Sequence, residues 1–352
     1  MPDKGLWGFA KNTRVRRGWR SRAAAAFAVL VVTVSLGACS SPADVAEAER
    51  ASDATCATLR PLAGVATASC VVDDGGFDAG ISRNTSVDFE RGVRAGEVHR
   101  VITTWLSSRD GGSDEYGVSG SRARSLHLTL AAVADVSFTV APGSPPPGVG
   151  FVDEWLSAVE RGMRISGSVG DGRTLRVADE GLSPSAQAAL LDEFSMQTRT
   201  DRLSLAIGED STIESPVPAS LGATLRSFET AFLGLAAHDS DHDLKLVVDV
   251  FTGKPPRLWL RIPTSIAPSI PPDRALTETP GWDAIRNVLN AAVPGEDTYT
   301  VRLTARPGQV IGTFSTSGCV PHLSGPDPQF DPELQAQWAA IHNIPTPEVC
   351  VP

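Results

Sequence analysis

A short run of acids and histidines is the part of the chain whose residue types best suit metal chemistry. Residues 238–243 read HDSDHD, and His238, Asp241 and His242 would offer the imidazole nitrogens and carboxylate oxygens that zinc and manganese sites use. The run also follows a strongly periodic helical segment, where histidine suits the negative end of the helix dipole and Asp and Ser favour a solvated turn. The turn is the simpler interpretation, so we expect no metal or other cofactor.

Other patterns associated with catalysis are incomplete. Residues 117–121 read GVSGS rather than GxSxG, and no histidine and aspartate can be assigned to the serine. Residues 167–172, GSVGDG, lack the lysine and the strand-to-helix context of a phosphate loop, and Asp171-Gly172 favours a hairpin turn. The sequence therefore indicates no enzyme class.

The N-terminal residues have the layout of an export signal. The first 22 residues hold seven Lys and Arg, and the uncharged stretch 23–38 is shorter than the roughly 20 residues of a membrane-spanning helix. The stretch ends in Leu36-Gly37-Ala38-Cys39, which resembles the lipobox of bacterial lipoprotein precursors. The resemblance implies a diacylglycerol joined to the Cys39 thiol through a thioether, cleavage before Cys39, acylation of its new amino group by a chain such as palmitate, and attachment to the extracytoplasmic face of the cell membrane.

Two alternatives to this export route stay open. Arg16-Arg17 is compatible with twin-arginine export, and the hydrophobic stretch could remain as an uncleaved anchor. Durable anchoring by lipid needs two chains, because a single acyl chain gives only marginal membrane binding.

The charge of the predicted mature body limits its partners. The full chain has 31 Lys and Arg against 41 Asp and Glu; the leader holds seven of these bases and one acid, which leaves 24 against 40, or −16. Such a body is unsuited to nucleic acid, whose phosphates are neutralised by Lys and Arg, and to broad adhesion on anionic lipid. We therefore expect membrane contact through the lipid alone and no nucleic-acid partner.

With Cys39 assigned to lipid, four cysteines remain for an oxidising compartment. Cys56, Cys70, Cys319 and Cys350 allow three pairings, and the sequence does not choose among them. We favour the local pairing, Cys56 with Cys70 and Cys319 with Cys350. A redox pair or a metal site would call for the close CxxC spacing, which these cysteines lack.

Periodicity of the apolar residues predicts alternating helices and strands. Helices are predicted near 95–106, 151–159, 184–197, 220–237, 282–292 and from 331 onward. Strands with one buried face are predicted near 81–89, 126–130, 136–140, 174–178, 203–207, 212, 244–251, 258–262 and 299–303.

This order predicts an α+β fold of tandem ferredoxin-like domains. Each would have the βαββαβ order, with an antiparallel sheet covered by helices on one face. The predicted organisation is a signal peptide at 1–38, a flexible tether at 39–55, and α+β domains at 56–179 and 180–352. The second domain would end in a hairpin, a helix and a disulfide-closed tail.

The function expected from these features is that of a non-enzymatic lipoprotein. It would bind or organise a component outside the membrane, such as an envelope polymer or a protein. A solute-binding lipoprotein that feeds a transporter is one alternative, although it calls for a cleft between two domains. A metal-dependent enzyme using residues 238–243 is the other.

Overall fold

The computed structural model describes most of the chain after the predicted leader. The described residues are 42–73, 81–108, 110, 124–131, 133, 136–179, 181–239, 244–263, 265–266, 274–306, 309–317 and 330–345.

The described elements repeat one unit, a β-hairpin followed by a helical segment. A helix, α1 (Pro42–Leu59), precedes the first hairpin. The strands are β1 (Val65–Asp73), β2 (Ser82–Phe89), β3 (Arg124–Leu130), β4 (Ser137–Val140), β5 (Ile165–Val169), β6 (Arg173–Val177), β7 (Leu203–Ile207), β8 (Ser211–Glu214), β9 (Lys245–Val250), β10 (Arg257–Arg261), β11 (Thr300–Arg306) and β12 (Gln309–Ser315). The other helices are α2 (Ala95–Leu106), α3 (Val149–Glu160), α4 (Pro184–Glu193), α5 (Leu221–Ser227), α6 (Glu229–Ala236), α7 (Trp282–Ala291) and α8 (Asp331–Ile341).

All twelve strands belong to one sheet, in which they follow the order of the chain. The two strands of each hairpin pair antiparallel, as β3 does with β4, whereas strands joined through a helical segment pair parallel, as β2 does with β3. A helix is long enough to return the chain for a parallel pairing, and a hairpin turn is not. The repeated unit therefore produces a mixed sheet.

The predicted strand pairing differs from this topology. Ferredoxin-like units have antiparallel sheets in which another strand separates the two strands joined by a helix. Here β2 pairs with β3 directly from Arg83–Arg124 to Phe89–Leu130, and five such parallel interfaces occur. The predicted combination of helices and sheet is observed, but the described strands form one large mixed sheet rather than two antiparallel ones. Its strands β6 and β7, on either side of the predicted boundary at 179/180, pair directly.

The helices cover only one face of the sheet. In β3, Leu126 and Leu128 are fully buried while His127 between them is exposed, and a similar alternation continues from β4 to β11, apart from the buried Ala206 of β7. In β12, residues 311–315 are buried on both faces. Phe138 on β4 packs edge-to-face on Trp155 of α3, with ring centroids 5.2 Å apart. The core lies between the sheet and this helix layer, and the opposite face of the sheet bears no helix among the described residues.

Three buried tryptophans show how the helix layer is held. Each indole N–H donates a hydrogen bond: from Trp105 to the Thr85 hydroxyl, from Trp155 to the Ile165 carbonyl, and from Trp338 to a carbonyl at the end of α7. An unpaired buried N–H costs about 1–3 kcal/mol. The three rings are therefore core residues between the sheet and the helix layer.

The N-terminal helix replaces most of the predicted tether. Residues 42–55 are helical, because Ala and Glu are good helix formers and here outweigh the small polar residues among them. The end of α1 is joined to β1 by a disulfide between Cys56 and Cys70, which confirms the predicted local pair. Cys319 and Cys350 lie outside the described residues. No helix in the described part of the chain has the length and apolarity to cross a membrane.

Side chains close the outer edge of the sheet at β12. Gln335 of α8 is fully buried, accepts a hydrogen bond from Ser315 N–H at 2.8 Å and donates one to the Ser315 carbonyl at 2.9 Å. Asp331 accepts from Thr313 N–H at 2.5 Å. These bonds satisfy backbone groups that an edge strand otherwise offers to a further strand.

Candidate functional site

The predicted metal candidate has the geometry of a helix-end turn. His238 is exposed just beyond α6; its N–H donates to the Leu235 carbonyl at 3.0 Å, and its own carbonyl accepts from Ser265 Oγ at 2.7 Å. Asp239 accepts a hydrogen bond from the N–H of Leu244, which precedes β9. Asp241 and His242 lie outside the described residues. Within the described ranges, no three His, Cys, Asp or Glu side chains are grouped so that they could hold a metal.

A serine and a histidine meet on the helix-free face of β3, but they do not form a catalytic triad. Ser125 Oγ lies 2.9 Å from His127 Nε2, yet its own hydrogen bond is donated to Asn84 Oδ1 at 3.0 Å. The other ring nitrogen faces the Thr139 hydroxyl at 3.4 Å. A nucleophile–base pair needs a group that orients the base and a site for the oxyanion. The arrangement is instead a lateral hydrogen-bonded network between neighbouring strands.

A second part of this network surrounds Asp88 on β2. Thr67 donates to its Oδ2 at 2.7 Å, and Thr129 donates to its Oδ1. The Thr129 hydrogen bond, followed by that of Thr67, lowers the pKa of Asp88 from its ordinary value. The hydroxyls hold this carboxylate ionised and fix its position on the open face.

Polar side chains cross the whole open face in register. One row contains a residue from each strand, and all but one of its members are polar or charged. From β1 to β12 it runs Thr67, Asp88, Thr129, Ser137, Ser166, Arg176, Ala206, Thr212, Asp249, Arg257, Thr300 and Ser315. The exposed part of this face therefore offers mainly hydroxyls over β1–β8.

The chemical character of the face changes at β9. Three residues from each of β9, β10 and β11 form a three-by-three array, which we call the β9–β11 platform. It comprises Lys245, Val247 and Asp249 of β9, Arg261, Trp259 and Arg257 of β10, and Thr304, Arg302 and Thr300 of β11. The platform thus has four cationic side chains, one carboxylate and a central indole.

Trp259 is the exposed aromatic at the centre of the platform. Its relative exposure is 36%, against 0% for the three core tryptophans. Its strand neighbours Leu258 and Leu260 are buried against the helix layer, so the ring must point away from the core. Arg302 lies over the ring, with its guanidinium carbon 5.0 Å from the centroid. The indole is therefore held on a rigid strand with one face covered by a cation.

Arg257 and Arg261 flank the indole on the same strand. At about 3.3 Å per residue, their backbone positions are about 13 Å apart with Trp259 midway. Among the residues that the structure describes, no carboxylate forms an ion pair with Arg257, Arg261 or Arg302. By contrast, Lys245 is paired with Asp210. The platform consequently keeps arginines available for an external anion.

The single carboxylate of the platform is partly buried. Burial raises the pKa of Asp249 despite a hydrogen bond from Thr212 N–H at 3.4 Å and the opposing effect of nearby Arg257. Asp331, at the start of α8 beside β12, shows the same effect: burial raises its pKa, and the charge of Arg302 opposes that shift. Within the described part of the chain, neither acid forms an ion pair with Arg257, Arg261 or Arg302.

A solvent-open depression elsewhere is less suited to a ligand. Its volume is about 370 Å³, and it lies between α1 and the end of α2. Glu47, Arg50, Thr55, Thr58 and Ser108 are among its lining residues. It contains no aromatic side chain that would anchor a ligand.

Sequence reasoning placed the platform strand correctly but missed its central residue. The alternation of Leu258, Leu260 and Ile262 identified β10, and the same alternation puts Trp259 on the opposite face. The sequence signal was the segment RLWLR, in which Trp259 stands at one of the alternate positions that are otherwise occupied by the polar residues Arg257 and Arg261. Tryptophan and arginine are the residue types enriched in the energetically important positions of protein–protein interfaces, so their exposure together is a signal of binding.

Comparison of the chain with protein-family models, curated proteins and solved structures finds no match.

Proposed function

We propose that the protein is a lipid-anchored extracytoplasmic binding protein that holds an envelope polymer on the open face of its sheet. The observation that carries the proposal is the β9–β11 platform, where Trp259 is exposed among arginines on a face without helices. The anchoring part rests on the resemblance of residues 36–39 to a lipobox.

The form of the surface favours a polymer over a small solute. Small-molecule sites are usually concave and enclose most of the ligand. The platform is an array of side chains on paired strands, and the polar row that includes Arg257 continues across the neighbouring strands. An extended ligand can lie on this open face, over Arg257, Trp259 and Arg261 of β10, and make many weak contacts at once.

The anchor is tested by membrane fractionation of the expressed full chain. Cys39→Ser should move the protein from the membrane pellet to the soluble or secreted fraction, because the acyl chains have no other attachment point. Ser40→Ala is the matched control, since it leaves the cysteine in place. Incorporation of labelled palmitate into Cys39→Ser equal to that of the parent would refute the lipid anchor.

The binding role is tested by co-sedimentation with cell-wall fragments stripped of lipid and protein. The full chain in detergent should sediment with the fragments, and Trp259→Ala should lose most of this association. Leu233→Ala removes a side chain that is 57% exposed on a helix and should leave binding unchanged. Sedimentation that is equal in the two variants would show that the platform is not the binding surface.

A further inference from the structure

We infer that the ligand of the β9–β11 platform is an acidic glycan, a polysaccharide that has carboxylate or phosphate groups on its sugars. One sugar ring would stack on Trp259, and the anionic groups on either side would pair with Arg257 and Arg261. This inference rests on the proposed function and specifies its ligand.

The central indole suits a sugar ring. The apolar C–H face of a pyranose packs against an aromatic surface, while its hydroxyls keep hydrogen-bonding partners around the rim. Thr300 and Thr304 on β11 supply hydroxyls beside the ring, and Arg302 covers one indole face and so orients the other. A rigid aromatic with neighbouring hydroxyls is complementary to a polyol.

The arginines add a requirement for negative charge. Guanidinium groups pair with carboxylate and phosphate through two parallel hydrogen bonds, which an uncharged sugar cannot accept in that way. Arg257 and Arg261, about 13 Å apart, would contact acidic groups on either side of the stacked ring. The platform has four cationic residues against one carboxylate.

The acidic body does not cancel this local attraction. The predicted mature chain has a formal charge of −16, from 24 bases and 40 acids. At physiological ionic strength exposed charges more than about 8 Å apart are largely screened. An anion in contact with Arg257 therefore interacts mainly with the charges of the platform itself, Asp249 among them.

Two other polyanions fit less well. A protein that binds single-stranded nucleic acid usually stacks several bases on several aromatics in a basic groove, whereas this array has one indole. An acidic peptide typically adds as a strand to a sheet edge, but Gln335 already occupies the backbone groups of Ser315 on β12. A side-chain array inside the sheet offers no backbone pairing.

The test measures binding of the full chain in detergent to polygalacturonate, phosphorylated dextran and unmodified dextran by isothermal titration calorimetry. At least one acidic polymer should bind, and binding should weaken as salt increases. Arg257→Gln/Arg261→Gln should lower that affinity about tenfold or more, because hydrogen bonds to charged groups are lost. Trp259→Ala should lower it as well. The polygalacturonate and phosphorylated-dextran arms distinguish carboxylate from phosphate.

The control is Arg100→Gln/Arg286→Gln, which removes the same charge from exposed positions on α2 and α7. This variant should bind like the parent, and circular dichroism should show that all variants are folded. Equal loss in both double variants would mean that net charge, rather than the platform, determines binding, and would overturn the inference.

The remaining outcomes separate the inference from the proposed function. Equal or tighter binding of unmodified dextran would overturn the acidic ligand while leaving polymer binding intact. Sedimentation with cell-wall fragments that depends on Trp259, without binding to either acidic polymer, would do the same. Tighter binding of poly-glutamate or a DNA oligonucleotide would assign the platform to another class of partner. No association with wall fragments or with any polymer would remove both proposals.

Discussion

Arg302 lies over the indole of Trp259, and the two residues face each other directly across the parallel pair of β10 and β11. The guanidinium carbon is 5.0 Å from the ring centroid, within the range of a cation–π contact. The buried neighbours Leu258 and Leu260 fix the strand that presents the ring. The contact therefore sets the orientation of the one exposed aromatic on the platform.

The Arg302–Trp259 contact should be measurable as a coupling free energy. A double-mutant cycle with Arg302→Ala and Trp259→Ala, followed by urea unfolding, should give a coupling of about 0.5–1 kcal/mol, as exposed cation–π pairs do. The cycle of Arg257→Ala with Trp259→Ala should give a value near zero, since Arg257 makes no such ring contact. Equal coupling in the two cycles would contradict the assigned geometry.

Gly167 on β5 should tolerate no side chain. A Cβ at this position would lie 2.4 Å from a ring carbon of Phe138, which is fully buried against Trp155. Gly167→Ala should therefore lower the free energy of unfolding by about 1–3 kcal/mol. Gly150→Ala in α3 is the control, because nothing lies within 4 Å of its Cβ. A neutral Gly167→Ala in a thermal melt would show that the Phe138 ring moves aside freely.

Gln335 should contribute to stability through the edge of the sheet. Gln335→Leu keeps the approximate volume but leaves the N–H and carbonyl of Ser315 without their partners. The expected loss is about 1–3 kcal/mol for each group left unsatisfied. Gln337→Leu, two residues further along the same helix and only partly buried, should change stability little. Denaturant unfolding measures both variants, and equal losses would argue against the capping role.

The titration of Asp88 should depend on Thr129. Thr129→Val removes the strongest of the hydrogen bonds that lower this pKa, so the pKa of Asp88 should rise toward 3.8. A carboxyl NMR titration measures the shift, and Thr139→Val, whose hydroxyl faces His127 instead, should leave it unchanged.

The same change predicts a pH-dependent stability difference. A lowered folded-state pKa stabilises the protein above the unfolded value of 3.8, and this contribution is lost as pH falls through the lower folded value. The parent should therefore exceed Thr129→Val in free energy of unfolding by less in acid than at neutral pH. A difference in urea stability that stays constant across that range would count against the Asp88 assignment.

Local features of the fold were predictable because each has a local physical cause. The apolar spacing of Val98, Ile102 and Trp105 fixed the buried face of α2, and Ser183 caps α4 by accepting a hydrogen bond from Ala186 N–H at 3.3 Å. The helix predicted at 220–237 is instead two helices, with a break at Phe228.

The strand order could not be read from local periodicity, because a period of two identifies a strand but not its neighbours. Right-handed crossovers with helices on one face favour a chain that doubles back, as ferredoxin-like units do. Here the order advances steadily from β1 to β12. Each parallel pair of strands, such as β4 and β5, runs in the direction opposite to the parallel pair before it, β2 and β3. With the helices on one face, successive crossovers must then have opposite hand. The ferredoxin-like prediction rested on the order of helices and strands, and that order does not determine which strands are neighbours in the sheet.

Only part of the candidate site could be predicted from the sequence, because its residues come from strands that are distant in the chain. Alternation placed Trp259 on the outer face, but Arg302 is 43 positions away in the chain and reaches the indole only because β11 pairs in register with β10. His238 drew attention as a metal candidate because acids and another histidine lie next to it in the sequence. Trp259 is recognised as a candidate binding residue only once the sheet places Arg302 against its ring.

The hairpin-and-helix unit also has an evolutionary consequence. Each unit widens the sheet by two strands, or about 9.5 Å, and contributes its own covering helical segment. Gain or loss of one internal unit would therefore lengthen or shorten the open face in fixed steps while preserving the local architecture of the others. A homologue with one more unit would have an open face about 9.5 Å wider across the strands, and one with a unit fewer would have a face narrower by the same amount.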